Sequence, residues 1–228
     1  MPKVLQPAGS MAASGSMGGT TYSRNAFGAY IKRKSIPVNP STALQNAVRA
    51  NFSEIAARWS QLTAAQRSAW QTYANAVPRS DTFGQPVTLF GRQMYIACNS
   101  LRKQAGLALV DDGPTILTLP ELTLPVPTIT AGDPISLAFT STDQWAGETG
   151  GALLFFASDA KSPQTNYCRG PYRYAGKVAG AATPPTSPAT LTAPFAYVEG
   201  QRVFWKAVAI TADGRMSSDV FGNVFCGA

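Results

Sequence analysis

The chain has 228 residues, of which 45% are apolar and only 14% charged, with 17 prolines, 20 glycines and a formal charge of +7. It contains no histidine, which excludes Ser-His-Asp and Cys-His nucleophilic chemistry, and no apolar run approaches the roughly 20 residues of a membrane-spanning helix. The charge is uneven: residues 1–110 hold twelve Lys and Arg against two acids, Glu54 and Asp81, whereas residues 111–228 hold seven against ten.

Residues 1–20 contain one Lys and no apolar core segment, and read as a flexible arm rather than a secretory signal. Residues 20–38 alternate and include Asn25-x-x-Gly28, which predicts a β-hairpin or extended arm. Pro37 and Pro40 close it. Thr42 and Gln45 then stand at capping-box spacing, and Leu44, Val48, Phe52, Ile55 and Trp59 recur every three or four residues. This predicts a helix over 43–61 that buries one stripe. Thr63 and Gln66 repeat the capping pattern for a helix over 64–76, with Ala65, Ala69, Trp70 and Tyr73 inward and Pro78 as its stop. A third helix is expected over 88–105, presenting Phe90, Met94, Ile96, Ala97 and Leu101 and ending at Gly106.

After 107 the pattern changes. Residues 111–130 are rich in Pro and Thr and read as an extended linker. Short strands follow at 135–140, 151–158, 172–179, 189–194, 202–211 and 219–226, separated by turn residues at sandwich-like spacing. Asp213-Gly214 is a hairpin turn candidate. In the fifth strand Val203, Trp205, Ala207 and Ala209 take one face, and Phe204, Lys206, Val208 and Ile210 the other. The fold class expected is α+β: an N-terminal arm or hairpin, a three-helix segment, then an all-β sandwich. The corresponding domains are 1–20, 21–110, a linker at 111–130, and 131–228.

No phosphate-binding glycine motif occurs, and Asp111-Asp112, the one adjacent carboxylate pair, reads as a solvated linker turn. Cys98, Cys168 and Cys226 lack CxxC spacing, which disfavours zinc. They read as reduced, mostly buried thiols, with a Cys168–Cys226 bridge as the alternative. No catalytic residue, cofactor, metal, small-molecule substrate or membrane partner is expected. The best interaction candidate is the cluster Lys32-Arg33-Lys34 with Arg24, interleaved with Tyr22, Phe27 and Tyr30, which suits an acidic protein groove or nucleic acid. Arg49, Arg58 and Arg67 extend it along the helices, where arginine favours bidentate pairing in an interface. Trp145 and the loop 167–174 form a second candidate display surface, since Tyr, Trp and Arg are frequent binding anchors.

Three resemblances bear on function. Residues 197–218, YVEGQRVFWKAVAITADGRMSS, look like the end of a fibronectin type III or related immunoglobulin-like module, which implies a sandwich and no particular activity. The segments SRNAFGAYIKRKSIPVNPSTALQNAVRANF and WSQLTAAQRSAWQTYA are similar to uncharacterised structural proteins of tailed phages and prophages. That resemblance implies a virion component made in the host cytoplasm, partnered by many copies of other capsid or tail proteins. Finally, NFSEIAARWSQLTAAQRSAWQTYA resembles the middle of an HMG box, which bends DNA with apolar wedges and many basic phosphate contacts. Here only Arg58 and Arg67 supply bases, and the simpler reading is that Trp59, Leu62 and Trp70 lock a helical hairpin. The expectation is a non-enzymatic, capsid-associated decoration or minor head protein. A tail, connector or receptor-binding module, including a carbohydrate-binding one, and a nucleic-acid packaging protein stay open as alternatives.

Overall fold

The helical half is set by local caps. Thr42 and Gln45 exchange N–H and side-chain bonds of 3.4 and 3.3 Å at the start of α1, Ala43–Gln61. Thr63 repeats the device more tightly for α2, Ala64–Ala76: its N–H donates to Gln66 Oε1 at 2.9 Å and its Oγ1 accepts from the Gln66 N–H at 3.2 Å. Each exchange satisfies backbone donors that a helix start leaves orphaned. At α3, Gly91–Gln104, Gln93 Oε1 accepts from the Phe90 N–H at 3.0 Å. A Cβ on Gly91 would lie 2.8 Å from the Gln71 backbone nitrogen, so only glycine lets α3 begin directly against α2. Gly106, at φ +66°, ends α3.

The computed structural model describes residues 14–25, 28–36, 38–80 and 85–228. The chain divides into two compact units, residues 1–46 and 47–228. The first unit contains a three-stranded antiparallel sheet of β1, Gly15–Met17, β2, Thr20–Asn25, and β3, Gly28–Arg33, in that order. A strand and turn thus occupy residues 15–19, which read as part of a flexible arm.

In the second unit the helices enclose a core of Ile55, Leu62, Trp70, Tyr73, Met94, Tyr95 and Cys98. Trp70 meets Tyr73 and Tyr95 edge-on, with centroids 6.1 and 5.5 Å apart. Such geometry is favoured by the ring quadrupole. A short ladder of β4, Arg79–Ser80, with β5, Pro86–Val87, precedes α3.

The strands after α3 form two sheets. One pairs β6, Ile135–Leu137, with β9, Ala189–Leu191. The other contains β7, Ala152–Ser158, β8, Tyr172–Ala179, β10, Arg202–Ile210, and β11, Val220–Phe225, all antiparallel in the order β11-β10-β7-β8. Strand alternation gives this larger sheet two apolar faces. Leu153, Phe155, Val203, Trp205, Ala207 and Ala209 join Ile135, Leu137 and Leu191 of the smaller sheet in the main β core. Ala152, Leu154 and Ile210, on the opposite face, cluster with Leu101, Ala105 and Leu107 at the end of α3. Every residue of β7 is therefore buried, which explains its unbroken apolar run. The Asp213-Gly214 turn is present, but in a longer connection that Arg215 pins: its side chain, 2% exposed, donates to Asp213 and Gln144 and to the Thr118 carbonyl.

Three expectations need correction. The boundaries placed near 110 and 130 do not separate bodies: helices and sheets form one unit. Arg102 joins them, donating from Nε to the Ala108 carbonyl at 2.8 Å and from Nη1 to the Thr211 carbonyl at 2.7 Å and the Gly150 carbonyl at 3.3 Å. Nor is 111–130 a free linker. Leu119 packs on the helical core, Leu122 and Leu124 on the β core, and Ile129 is buried. A Cβ on Gly113 would come within 2.7 Å of the α2 backbone, so the strap crosses that helix in close contact. Lastly, the α1 stripe is buried only at its end. Ile55 is buried and Trp59 half-buried, whereas Leu44, Val48 and Phe52 are exposed. Phe90, the residue before α3, likewise points to solvent, and Tyr95, Cys98, Asn99 and Arg102 of α3 are buried in its place.

Candidate docking surface

The N-terminal sheet sorts its candidate residues by register. Tyr22 pairs with Ile31, Arg24 with Ala29 and Thr20 with Arg33. Directly opposed residues share a face, so Tyr22, Arg24, Ile31 and Arg33 lie together. Tyr30 and Lys32 lie on the other face with Ser23 and Thr21, and Ser16 Oγ bonds Thr21 Oγ1 there at 2.7 Å. The Lys34 N–H donates to the Gly19 carbonyl at 2.8 Å and closes the ladder. The basic cluster is thus divided between two faces. Phe27 lies outside the described residues.

None of the described residues from 14 to 46 is buried; Tyr22, Tyr30 and Ile31 are half-covered, and Arg24, Lys32, Arg33 and Lys34 are exposed. A three-stranded sheet ordinarily needs an apolar face packed on something to be stable alone. The chain contains no acid before Glu54, while six Lys and Arg precede it. The surface is therefore cationic without internal compensation.

The front of α1 continues this character. Residues 43–50 are exposed on every side of the helix. Leu44, Val48 and Phe52, spaced by four, are 79%, 67% and 54% exposed. Spacing by four places them on one helix face. Arg49 is exposed beside them. An isolated helix shorter than about 12–15 residues is marginal in water, and residues 43–50 are all exposed among the described residues. The three exposed apolar side chains form one stripe.

Two of the arginines expected to meet a partner are engaged within the chain. Arg58 forms a bidentate pair with Asp111, both N···O distances being 2.6 Å. Asp111 Oδ1 also accepts from Tyr95 Oη at 3.1 Å, and Trp70 Nε1 donates to the Asp111 carbonyl at 2.9 Å. The hydrogen bonds from Arg58, then from Tyr95, hold the Asp111 carboxyl below its ordinary range, against the opposing effect of burial. Asp111 is a clamp between the strap and the helices, and the solvated-turn reading is corrected. Arg67 donates to the Leu62 carbonyl from Nε at 3.0 Å and Nη2 at 2.7 Å, stapling the α1–α2 turn. With Leu62 and Trp70 buried and Trp59 against Tyr95 at 5.4 Å, the residues shared with an HMG box are core residues of a helical hairpin.

The second display surface is also revised. Trp145 is wholly buried, stacked obliquely on Phe139, whereas Tyr167 is 75% exposed. The three cysteines are free; Cys98 and Cys226 are buried and Cys168 is half-exposed. Burial pushes the Cys98 thiol up to about 12. Arg102 and Asp111 are the residues whose structural roles the sequence does not show. A lone arginine near the end of α3 and an acid just beyond it were the available signals, but neither spacing names a partner. No helix among the described residues is long and apolar enough to cross a membrane. Neither a family model, nor a curated protein, nor a solved structure matches the chain.

Proposed function

We propose that this chain is a non-enzymatic structural protein of a phage virion, capsid-associated as a decoration or minor head protein. It docks through its N-terminal sheet and the front of α1, and displays the helix-backed β unit. The observation that carries the reading is a folded segment in which no buried core is found among the described residues: an acid-free, basic sheet followed by a helix whose apolar side chains face solvent. Such a segment gains stability by burying those side chains on an assembled surface, where burial returns about 25 cal/mol per Å2. The basic side chains then complement an acidic lattice.

The finer fold reading is an immunoglobulin-like sandwich of the fibronectin type III kind. The strand order β11-β10-β7-β8 facing the β6–β9 pair supports it, as does the parallel bridge of Thr130 to Gly227. A helix over the outer face of the larger sheet is an addition to that architecture.

Cryo-electron microscopy of particles carrying the chain tests the role. Symmetric copies on the head, with β1–β3 and α1 seated on neighbouring subunits, is the expected result. A position on the tail, or inside with DNA, would overturn the capsid assignment.

A further inference from the structure

The outer face of the larger sheet is only half covered by α3. Its other half carries Phe204 and Asn223, which are paired across β10 and β11, followed by Lys206 with Phe221. Tyr172 approaches from β8, and its ring lies 6.5 Å from that of Phe221 at 57°. The loop before β8 folds over these rings and leaves a depression of about 460 Å3, lined also by Asn166, Tyr167 and Arg169. This lies within the range of small-molecule sites, about 300–1,000 Å3.

The loop is fixed from below. Arg202 Nη1 donates to the Thr165 carbonyl at 2.7 Å and to Asn166 Oδ1 at 2.8 Å, and Tyr172 Oη donates to the Cys168 carbonyl at 3.0 Å. The walls therefore stand in place before anything binds. At the rim, the Arg169 and Asn223 side chains have no hydrogen-bond or ion-pair partner among the described residues, and no carboxylate lines the depression. Tyr167 and Phe221 are 75% and 60% exposed, an arrangement that leaves apolar ring area in water with planar polar groups beside it.

We infer that this depression is a saccharide-binding site, one that favours a sugar bearing a carboxylate. The inference is independent of the virion reading. The exposed Phe221 and Tyr167 rings offer apolar faces to the C–H side of a pyranose, whose hydroxyls need planar polar partners beside those rings. Asn223 and the Asn166 amide meet the hydroxyl edge, and Arg169 takes the carboxylate in its planar fork.

Saturation-transfer NMR on the full chain tests this with glucose, galactose, mannose, N-acetylglucosamine and glucuronate, and with disaccharides built from them. Signal transfer to sugar C–H protons is expected, strongest for glucuronate-containing sugars. Bound sugar also slows alkylation of Cys168, which lines the depression. Phe221→Ala and Tyr167→Ala, both at exposed rings, weaken binding tenfold or more with near-ultraviolet circular dichroism unchanged. Arg169→Ala removes the preference for glucuronate. Phe52→Ser, outside the depression, leaves binding as it was. No transfer to any sugar of the panel, binding indifferent to Phe221→Ala and Tyr167→Ala, or occupation of the rings by oligoproline or deoxyadenylate instead would overturn the inference.

Discussion

Residues 14–46 and residues 47–228 are built on opposite principles. The second unit buries three apolar clusters and ties its helices to its sheets through polar side chains that reach backbone carbonyls. The described residues of the first unit bury nothing, carry no acid and hold their shape by ladder hydrogen bonds. Stability in one comes from burial; in the other, among the described residues, it comes from pairing within the sheet. Cores are where burial outweighs conformational entropy, so the contrast marks which part is scaffold; on the function proposed above, the other part is contact.

The sharpest way to break the comparison is at Arg102, where the scaffold's helical and β parts meet. Its guanidinium serves three carbonyls, of Ala108, Gly150 and Thr211, at 4% exposure. Arg102→Ala orphans those acceptors and opens a void, so it should cost about 3–5 kcal/mol. Arg102→Lys should recover part of that, since an ammonium cannot span the same fork. Guanidinium denaturation monitored by tryptophan fluorescence measures both. A loss under 1 kcal/mol for the alanine variant would mean that the helices and sheets do not depend on this link.

Asp111 is the next test. Asp111→Ala removes the carboxylate that Arg58 and Tyr95 share, while the bond from Trp70 to the backbone stays. The expected cost is about 1–3 kcal/mol. The folded carboxyl sits below its unfolded value of about 3.9. Its stabilisation is therefore complete above that value and is lost as pH falls through the folded one. Urea midpoints should decline on acidification below about pH 4. They should decline less steeply in Asp111→Asn, which begins lower and has no carboxyl there to titrate. Parallel acid limbs in the two proteins would show that Asp111 contributes nothing to the pH dependence.

Legibility followed how local each determinant is. Both Thr-Gln capping boxes, the ends of α1 and α2, the six β strands and the two faces of β10 were readable, because each depends on spacing within a few residues. The fate of the α1 stripe was not. Leu44, Val48 and Phe52 have the same periodicity as Ile55, and a periodic pattern states which side is apolar without stating what covers it. Residues 111–130 misled for a related reason. Pro and Thr exclude helix, yet nothing in their composition shows that Leu119, Leu122 and Leu124 find two separate cores. Arg58 and Arg67 looked like partner residues because an arginine's charge is visible in a sequence, whereas Asp111 and the Leu62 carbonyl lie beside them only in space.

The smallest effect expected on stability falls on the exposed front of α1, a helix that begins in the first unit and continues into the second. Val48→Ser and Phe52→Ser replace side chains that are 67% and 54% exposed. In the isolated chain each should change stability by no more than about 0.5 kcal/mol, while reducing incorporation into assembled particles. Amide exchange should agree: protons of β2 and β3 should exchange at low free energy, and those of β7 and β10 only near global unfolding. The paired outcome is the informative one, because a buried structural stripe would lower stability and assembly together. A loss of more than 1 kcal/mol in the isolated Phe52→Ser protein would place that ring in a core, and the exposed apolar face of α1 would then end before it.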